Sequence, residues 1–284
     1  VPLALITGAS TGIGRATALR LLGGGWTVLA GVRGQEAGER LLQDVAAPDR
    51  LVPITLDVTD AAQVRQAAAR VQELAGGAGT AGGLDALVNN AGIGVGGPLE
   101  LVRPEDMRMQ FDVNVHGQVA VTAAMLPALR RAGGRIVFMS SVGGRVATAF
   151  LAPYAASKHA IEAIGDALRV ELHSSGIQVA LVEPGSVATP IWGKAQAEAE
   201  RLAIPPELEG PYGRIPEAMD KVLQDTARRG VPPEVVAETI ERALTARRMK
   251  ARYVVGRDAR AMIVLRGLLP DRVFDRLIRL RLGM

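Results

Sequence analysis

The residues that decide the fold are Leu3-Ala4-Leu5-Ile6-Thr7, continued by Gly8-Ala9-Ser10-Thr11-Gly12-Ile13-Gly14. The first five form a short apolar run of strand length, and the glycine-punctuated stretch leads into a helical pattern over Ile13–Leu22. Glycines let a backbone turn tightly and approach a pyrophosphate closely. The following helix then offers free N–H groups and the positive end of its dipole to that phosphate. A glycine motif carries this meaning only where it follows a strand and opens a helix, and here it does both. Gly8, Ser10, Thr11, Gly12, Ile13 and Gly14 are therefore candidate cofactor-binding residues.

Working outward, strand-like runs recur at Thr27–Val32, Leu51–Leu56, Ala86–Val88, Arg135–Met139, Ile177–Val182 and Tyr253–Val255. Helical patterns lie between them at Gln35–Val45, Ala61–Leu74, Pro104–Arg131, Pro153–Ser174 and Pro233–Ala246. Strand and helix in alternation predict an α/β fold: a doubly wound parallel sheet, Rossmann-like, of about seven strands with helices on both faces. Ligands of such sheets sit outside the carboxyl ends of the strands, where strand order reverses. The 284 residues, without internal repeat or linker, are read as a single dinucleotide-binding catalytic domain, 1–284. Two stretches break the rhythm. Gly76–Gly83 is a Gly-rich connector, and Pro190–Gly230 is a long proline-punctuated insertion with a helical pattern around Gly193–Leu202. An insertion after the sixth strand is placed to cover the active site, the alternative being a tolerated surface excursion. The C-terminal segment 258–284 is read as helical.

Composition narrows the function classes. Hydrophobic residues make up 48%, enough for a sizeable core. With no cysteine, disulfides, thiolate metal sites and a cysteine nucleophile are excluded, and His116, His159 and His173 show no metal-ligand spacing, so no metal is expected. Aromatic content of 3% argues against stacking on nucleic-acid bases. The sequence has no uninterrupted apolar run near the ~18 residues of a membrane span, and it does not open on a basic and apolar leader, so a cytoplasmic location is expected. Net charge is +4, and Arg242–Met284 carries twelve basic residues against three acids. Within it, Met262–Leu280 mixes Ile263, Leu265, Leu268, Leu269, Phe274 and Ile278 with arginines. Packing on the rest of the chain with a solvated basic face is the first reading, and contact with a membrane surface the second.

Chemistry enters at Tyr154-Ala-Ala-Ser-Lys158. Positions i and i+4 share a helix face, so phenol and ammonium can point into one site. A nearby cation lowers the pKa of a phenol, which otherwise lies near ~10. The fifth strand runs into Ser140-Ser141, and the residue types alone do not separate these two.

Together these motifs resemble the short-chain dehydrogenase/reductase family, in its classical type. The glycine pattern T-G-x-x-x-G-x-G spans Thr7–Gly14, Asn89-Asn90-Ala91-Gly92 follows the fourth strand, and Pro184-Gly185 follows the sixth. The resemblance is strong from about Leu3 to Pro190, and Val170–Trp192 is similar to the retinol and hydroxysteroid branch. It implies an oxidoreductase moving hydride between a nicotinamide cofactor and an alcohol or ketone. It implies Tyr154 as general acid/base, Lys158 as its tuning cation, and Ser141, thirteen residues before the tyrosine, as the hydroxyl that bonds the substrate oxygen. Asn114, in Asp112-Val-Asn-Val-His-Gly117, is implied as the holder of a proton-relay water. Asp57, Val58, Asn90, Ala91, Gly92, Tyr154, Lys158, Pro184, Gly185, Val187 and Thr189 are implied to line the cofactor, with Lys158 at the nicotinamide ribose and Thr189 at the carboxamide. Where many NAD enzymes place an acid for the ribose, this chain has Val32, followed by Arg33, which could pair with a 2′-phosphate. That favours NADP, with NAD the alternative.

Val142, Val146, Ala149, Phe150, Leu151, Ile191 and Trp192 are expected to wall a pocket for a lipophilic secondary alcohol or ketone. The resemblance implies a homodimer or homotetramer through the helices carrying Asn114 and Tyr154, whose outer faces are read as Val119, Ala123, Ile161, Ala163 and Leu168; the alternative is that these residues serve the core. The rival from another class is an inactive nucleotide-binding regulatory protein on the same fold; its mark would be a missing tyrosine, lysine or serine.

Overall fold

The computed structural model describes residues 1–43, 45, 48–76, 82–189, 204–213, 216, 217, 224, 228 and 230–282. Strands β1 (Leu3–Thr7), β2 (Thr27–Val32), β3 (Leu51–Thr55), β4 (Ala86–Asn89), β5 (Arg135–Met139), β6 (Gln178–Pro184) and β7 (Arg252–Val255) pair in parallel, in the order β3-β2-β1-β4-β5-β6-β7. Side chains alternate between the two faces of the sheet. Ala4, Ile6, Val28 and Ala30 pack into one core, and Leu3, Leu5, Leu29 and Leu87 into the other. Helices α1 (Gly12–Gly23) and α2 (Gln35–Gln43) carry the first core, and α3 (Ala61–Ala75) the second. Later come α4 (Pro104–Phe111), α5 (Gln118–Ala132), α6 (Ala152–Glu171), α7 (Pro233–Thr245), α8 (Arg257–Leu268) and α9 (Asp271–Leu282). The doubly wound parallel sheet expected from the sequence is the fold observed.

Three expectations need correction. The single helix anticipated over Pro104–Arg131 is α4 and α5 joined by a π-helical turn, Asp112–Gly117. Ile161 does not lie on an outer face: it is fully buried in the second core, and Leu168 packs against that core, whereas Val119, Ala123 and Ala163 are exposed. The C-terminal segment is two helices, broken at Leu269-Pro270, because proline biases the residue before it to extended backbone. Pro190–Ala203, with Ile191, Trp192 and the helical pattern there, and most of 214–229 lie outside the described residues. Val187 and Val231 pair across the base of this stretch, with Val231 N–H donating to Ser186 O at 2.9 Å and Ala188 N–H to Val231 O at 3.1 Å.

At the end of the π-helical turn the chain passes so close to Val58 that a Cβ at Gly117 would lie 2.6 Å from Val58 Cγ2 and 3.0 Å from Val58 O. Gly117→Ala should therefore lower the unfolding free energy by about 1–3 kcal/mol through overpacking, outweighing the ~1 kcal/mol that alanine gains in helix propensity. Urea denaturation measures it. An unchanged or higher midpoint would show that the Val58 loop yields freely.

Candidate active site

Strand order reverses between β1 and β4, and a cleft of about 550 Å³ opens at their carboxyl ends. Its floor is tied by side chains. Thr7 Oγ1 accepts the N–H groups of Asn90 and Ala91, each at 2.9 Å, while Asn90 Nδ2 donates to Thr7 O at 2.9 Å and Gly8 O at 3.1 Å. Gly8 holds a φ of +65°, which side chains rarely adopt, and a Cβ at Gly14 would lie 2.3 Å from Gly8 O. Thr11 precedes α1 in extended conformation without a side-chain cap, and the first turn of α1 contains no acid. The first N–H groups of α1 thus face the cleft without a competing carboxylate, and the glycines leave space that any side chain would fill. These features fit the diphosphate of a dinucleotide.

Arg33 is exposed and lines the cleft, whereas Val32 is buried in the core and offers it nothing. Asp57 also lines the cleft, but its carboxylate serves its own turn, accepting from Thr59 N at 2.9 Å and Thr59 Oγ1 at 2.6 Å. Val58, Asn90, Ala91, Gly92, Pro184, Gly185, Val187 and Thr189 all line the same cleft, as do Gly8, Ser10, Thr11, Gly12 and Ile13.

Beyond the floor, three buried amides at fourfold spacing fasten the loop after β4. Gln118 Nε2 donates to Ala91 O at 3.1 Å. Asn114 Oδ1 accepts from Ile93 N at 2.8 Å while its Nδ2 donates to Ile93 O at 3.0 Å and Ser157 Oγ at 3.1 Å. Gln110 Oε1 accepts from Val95 N at 2.6 Å, and its Nε2 donates to Ile93 O at 3.0 Å. Gln110 and Gln118 were missed by sequence reasoning. Their signal is an amide every fourth residue on an otherwise apolar helix face. A hydrogen at Gly92 keeps open the gap between Asn114 Oδ1 and Lys158 Nζ, which a Cβ would enter at 3.3 and 3.8 Å from those atoms.

The first turns of α6 carry Tyr154 and Lys158, both buried. Tyr154 hydrogen-bonds Ser141, whose Oγ also accepts from Gly143 N at 3.1 Å. Ser140 N–H donates to Val182 O, while its hydroxyl lies beneath Gly144 and has no protein partner. Of the two serines, it is Ser141 that meets the tyrosine. Lys158 Nζ donates to Met139 O at 2.7 Å and sits 5.7 Å from the centre of the Tyr154 ring. Burial pushes the phenol pKa up, partly offset by the Ser141 hydrogen bond. Burial also pushes the Lys158 ammonium down to about 8, opposed by the Glu162 carboxylate one turn on. In the free site the expected easing of the phenol toward phenolate is thus opposed by desolvation, the largest influence on Tyr154.

Behind this pair lies a layer of buried charge. Glu183 on β6 is fully buried and meets Arg145 at 3.3 Å and Arg252 at 3.1 Å. Arg252 also pairs with Glu162 at 2.9 Å and Asp166 at 2.6 Å. Burial first, then the neighbouring Glu162 carboxylate, pushes the Glu183 carboxyl up to about 6, against Arg145 and Arg252. Asp258, also missed from sequence, accepts from Ser186 N at 2.8 Å, and its carboxylate occupies space left by Gly185 and Gly256.

The pocket wall expected from Val142–Leu151 is a correction. None of these residues lines the cleft among the described residues, and Val146 is buried. The chain there turns onto the loop after β4, where Gly97 N–H donates to Phe150 O at 2.8 Å. The apolar wall comes instead from Ile93, Val95, Met109, Val113 and Met139.

A cofactor cleft at the β1/β4 reversal with a buried Ser–Tyr–Lys group at its wall defines a dinucleotide-dependent oxidoreductase fold. The sequence profile described as short chain dehydrogenase matches residues 2–200. The chain is 35% identical over 279 residues to an NADPH-dependent 3-dehydrocapnine reductase of Ornithobacterium rhinotracheale, covering 96% of this chain and 95% of that protein. It is 38% identical over 281 residues to retinol dehydrogenase 5 of Mus musculus, covering 95% and 85%. Among solved structures, a short chain dehydrogenase from Burkholderia cenocepacia J2315 in complex with NADP superposes with a TM-score of 0.72 at 26% identity, covering 100% of this chain and 98% of that one. The chain belongs to the short-chain dehydrogenase/reductase family and is an oxidoreductase of it, similar to its retinol and hydroxysteroid branch.

Glu183 makes a pH prediction. Between the ordinary carboxyl value of 4.5 and about 6, the folded chain holds this proton and the unfolded chain does not, so its contribution to stability falls as pH rises. Above about 6 the cost is complete, on the order of 2 kcal/mol. Glu183→Gln stays neutral throughout. Its stability relative to the parent should therefore be higher at pH 7 than at pH 5, by about 1 kcal/mol because part of the cost is already present at pH 5, in paired denaturant titrations. A pH-independent difference would mean that the two arginines fully compensate the buried carboxylate.

Proposed function

We propose that this enzyme reduces a lipophilic ketone, or oxidises the matching secondary alcohol, of steroid, retinoid or fatty type, with Tyr154 as general acid/base. One observation carries the reading: the Tyr154 hydroxyl meets Ser141 at the cleft wall with the Lys158 ammonium beneath the ring. Ser141 and Tyr154 supply two hydroxyls to the oxygen on which negative charge develops during reduction. The phenol donates its proton in reduction, and the phenolate accepts one in oxidation. Lys158, fixed on Met139 O, steadies the phenolate left behind, and Asn114 holds the Ile93 loop opposite. A nicotinamide dinucleotide, when bound, supplies or accepts the hydride. Gly8, Ser10, Thr11, Gly12, Ile13 and Gly14 would hold its diphosphate, and Pro184, Gly185, Val187 and Thr189 its nicotinamide end. The apolar wall of Ile93, Val95, Met109 and Val113 supports a lipophilic substrate, as do the retinol-named and reductase-named relatives.

NADP is the proposed cofactor and NAD the alternative. Exposed Arg33 beside an apolar Val32 suits a 2′-phosphate and offers no carboxylate to a ribose diol; one relative is named as NADPH-dependent and one neighbour holds NADP. The inactive regulatory alternative is disfavoured by an intact Ser141, Tyr154 and Lys158. The catalytic unit is read as the whole chain, 1–284, in the cytoplasm. It is read as a homodimer or homotetramer through the faces that expose Val119, Ala123 and Ala163. No helix of the described residues is long and apolar enough to cross a membrane.

Tyr154→Phe removes one hydroxyl and should leave fold and cofactor binding intact. Turnover on a substrate found by screening ketones with NADPH should fall by at least the ~10²–10⁴ typical of acid–base groups. Undiminished turnover would end the assignment.

Arg33→Ala should weaken NADP roughly ten- to a hundredfold, the loss of one charge-assisted hydrogen bond, and leave NAD nearly unchanged. Calorimetric titration of both cofactors into parent and variant measures this. A parent that prefers NAD, or a variant that weakens both alike, would make Arg33 irrelevant to the choice.

A further inference from the structure

Helices α8 and α9 are built unlike the rest of the surface. On α9, Val273, Leu277 and Leu280 (i, i+4, i+7) make one exposed stripe, while Phe274 is buried and Ile278 half-buried toward the protein. Arg272, Arg276 and Arg279 repeat the same spacing one residue round the helix, and all three are exposed. On α8, Val264, Leu265 and Leu268 are exposed on neighbouring turns, Leu268 at 75%. The two helices are joined by an Arg266–Asp271 ion pair at 2.7 Å and by Arg266 lying over the Phe274 ring at 5.5 Å. Residues 257–282 hold seven arginines against three aspartates, a surplus of four that equals the net charge of +4 of the whole chain. Half of the large hydrophobic side chains exposed among the described residues are thus concentrated on one helical hairpin that also carries a surplus of four positive charges.

We propose that the α8–α9 hairpin is a docking surface for a bilayer rich in anionic phospholipids, lying in the plane of the headgroups. The apolar stripe supplies the surface that leaves water, and the arginine stripe beside it reaches headgroup phosphates while its aliphatic stems stay near the acyl boundary. A second copy of the chain is a poorer occupant, because self-pairing of this face would bring two arginine stripes together. A purely electrostatic partner would leave the leucines unused. The hairpin also adjoins the cleft: Asp258, in the first turn of α8, accepts from Ser186 N on the loop after β6. Docking there brings the chain to the lipid, the phase in which a lipophilic ketone concentrates. That last consequence rests on the proposed substrate class, whereas docking itself does not.

The test uses the full chain without substrate or cofactor, so that its failure is separate from any failure of the catalytic reading. Vesicles of phosphatidylcholine, and of equal parts phosphatidylcholine and phosphatidylglycerol, are sedimented with the protein at low and high salt. Two variants alter exposed side chains only, with folding checked by circular dichroism: Leu268→Ser with Leu277→Ser and Leu280→Ser, and Arg272→Gln with Arg276→Gln and Arg279→Gln. The parent should sediment with the anionic vesicles and much less with the neutral ones, and high salt should weaken binding. The arginine triple should weaken it roughly hundredfold, from the contribution of basic residues near an anionic surface, and the leucine triple should abolish it. A parent that stays in the supernatant with both vesicles overturns the proposal. So does binding that neither triple reduces, which would place the contact elsewhere. A dimer by light scattering that the leucine triple converts to monomer would make the hairpin a subunit interface instead.

Discussion

The Thr7 hydroxyl at the end of β1 is the joint on which the site depends. At the reversal of strand order, β1 and β4 send their following segments apart, and nothing in a parallel sheet closes the gap between them. Thr7 Oγ1 closes it by accepting two backbone N–H groups from Asn90 and Ala91, and Asn90 returns two bonds to Thr7 and Gly8. Buried backbone donors in a loop would otherwise lack partners. With the floor fixed, Gly14 can pass against Gly8, the N-terminus of α1 is aimed across it, and the chain from Ala91 to Val95 has a defined start. The amides of Gln118, Asn114 and Gln110 then carry that order outward, and Asn114 hands it to Ser157 on α6. Ser157 donates to Tyr154 O, so the helix that bears the tyrosine is referenced to the same floor that carries the glycine turn. Two halves of a reaction are held in register by one chain of hydrogen bonds.

How much of this was legible follows from the range of each interaction. Strands buried on both faces read as apolar runs, and strand-turn-helix with glycines is a local grammar, so β1, the glycine turn and the start of α1 stood in the sequence almost to the residue. Tyr154 and Lys158 were legible for the same reason, being one turn apart on one helix. The choice between Ser140 and Ser141 rested on the resemblance, and the structure adds the alternation of faces. Phe138 packs in one core and Met139 in the other, so Ser140 continues the Phe138 face, toward Glu162 on α6. What could not be read depends on residues far apart in the chain. Val146 has the composition of a pocket wall and is buried as core, because the pairing of Phe150 with Gly97 turns its segment inward. Asp258 contacts Ser186 across 72 positions. Glu183 sits in an apolar strand, and only the fold brings Arg145 and Arg252 to it.

Burial sets the chemical character of the site, and it acts with opposite sign on its two titrating groups. Removing water favours the neutral form of each: the phenol holds its proton more tightly, and the ammonium gives its proton up more readily. Left alone, this would yield a neutral pair with little catalytic use. The surroundings counter it by different means on each side. Ser141 reaches the phenol and eases its ionisation. Glu162, itself held by Arg252, faces the lysine and keeps it cationic near neutral pH. Glu183 then adds a second carboxyl to the same layer, and two arginines are needed to hold it there. The buried charge is thereby balanced locally, by groups fixed on α6, β6 and β7. The arginine-bearing hairpin adds its own surplus of positive charge outside this layer. Fields from that surface are screened within about a Debye length, so a basic outer hairpin and a locally balanced buried layer can coexist in one small protein.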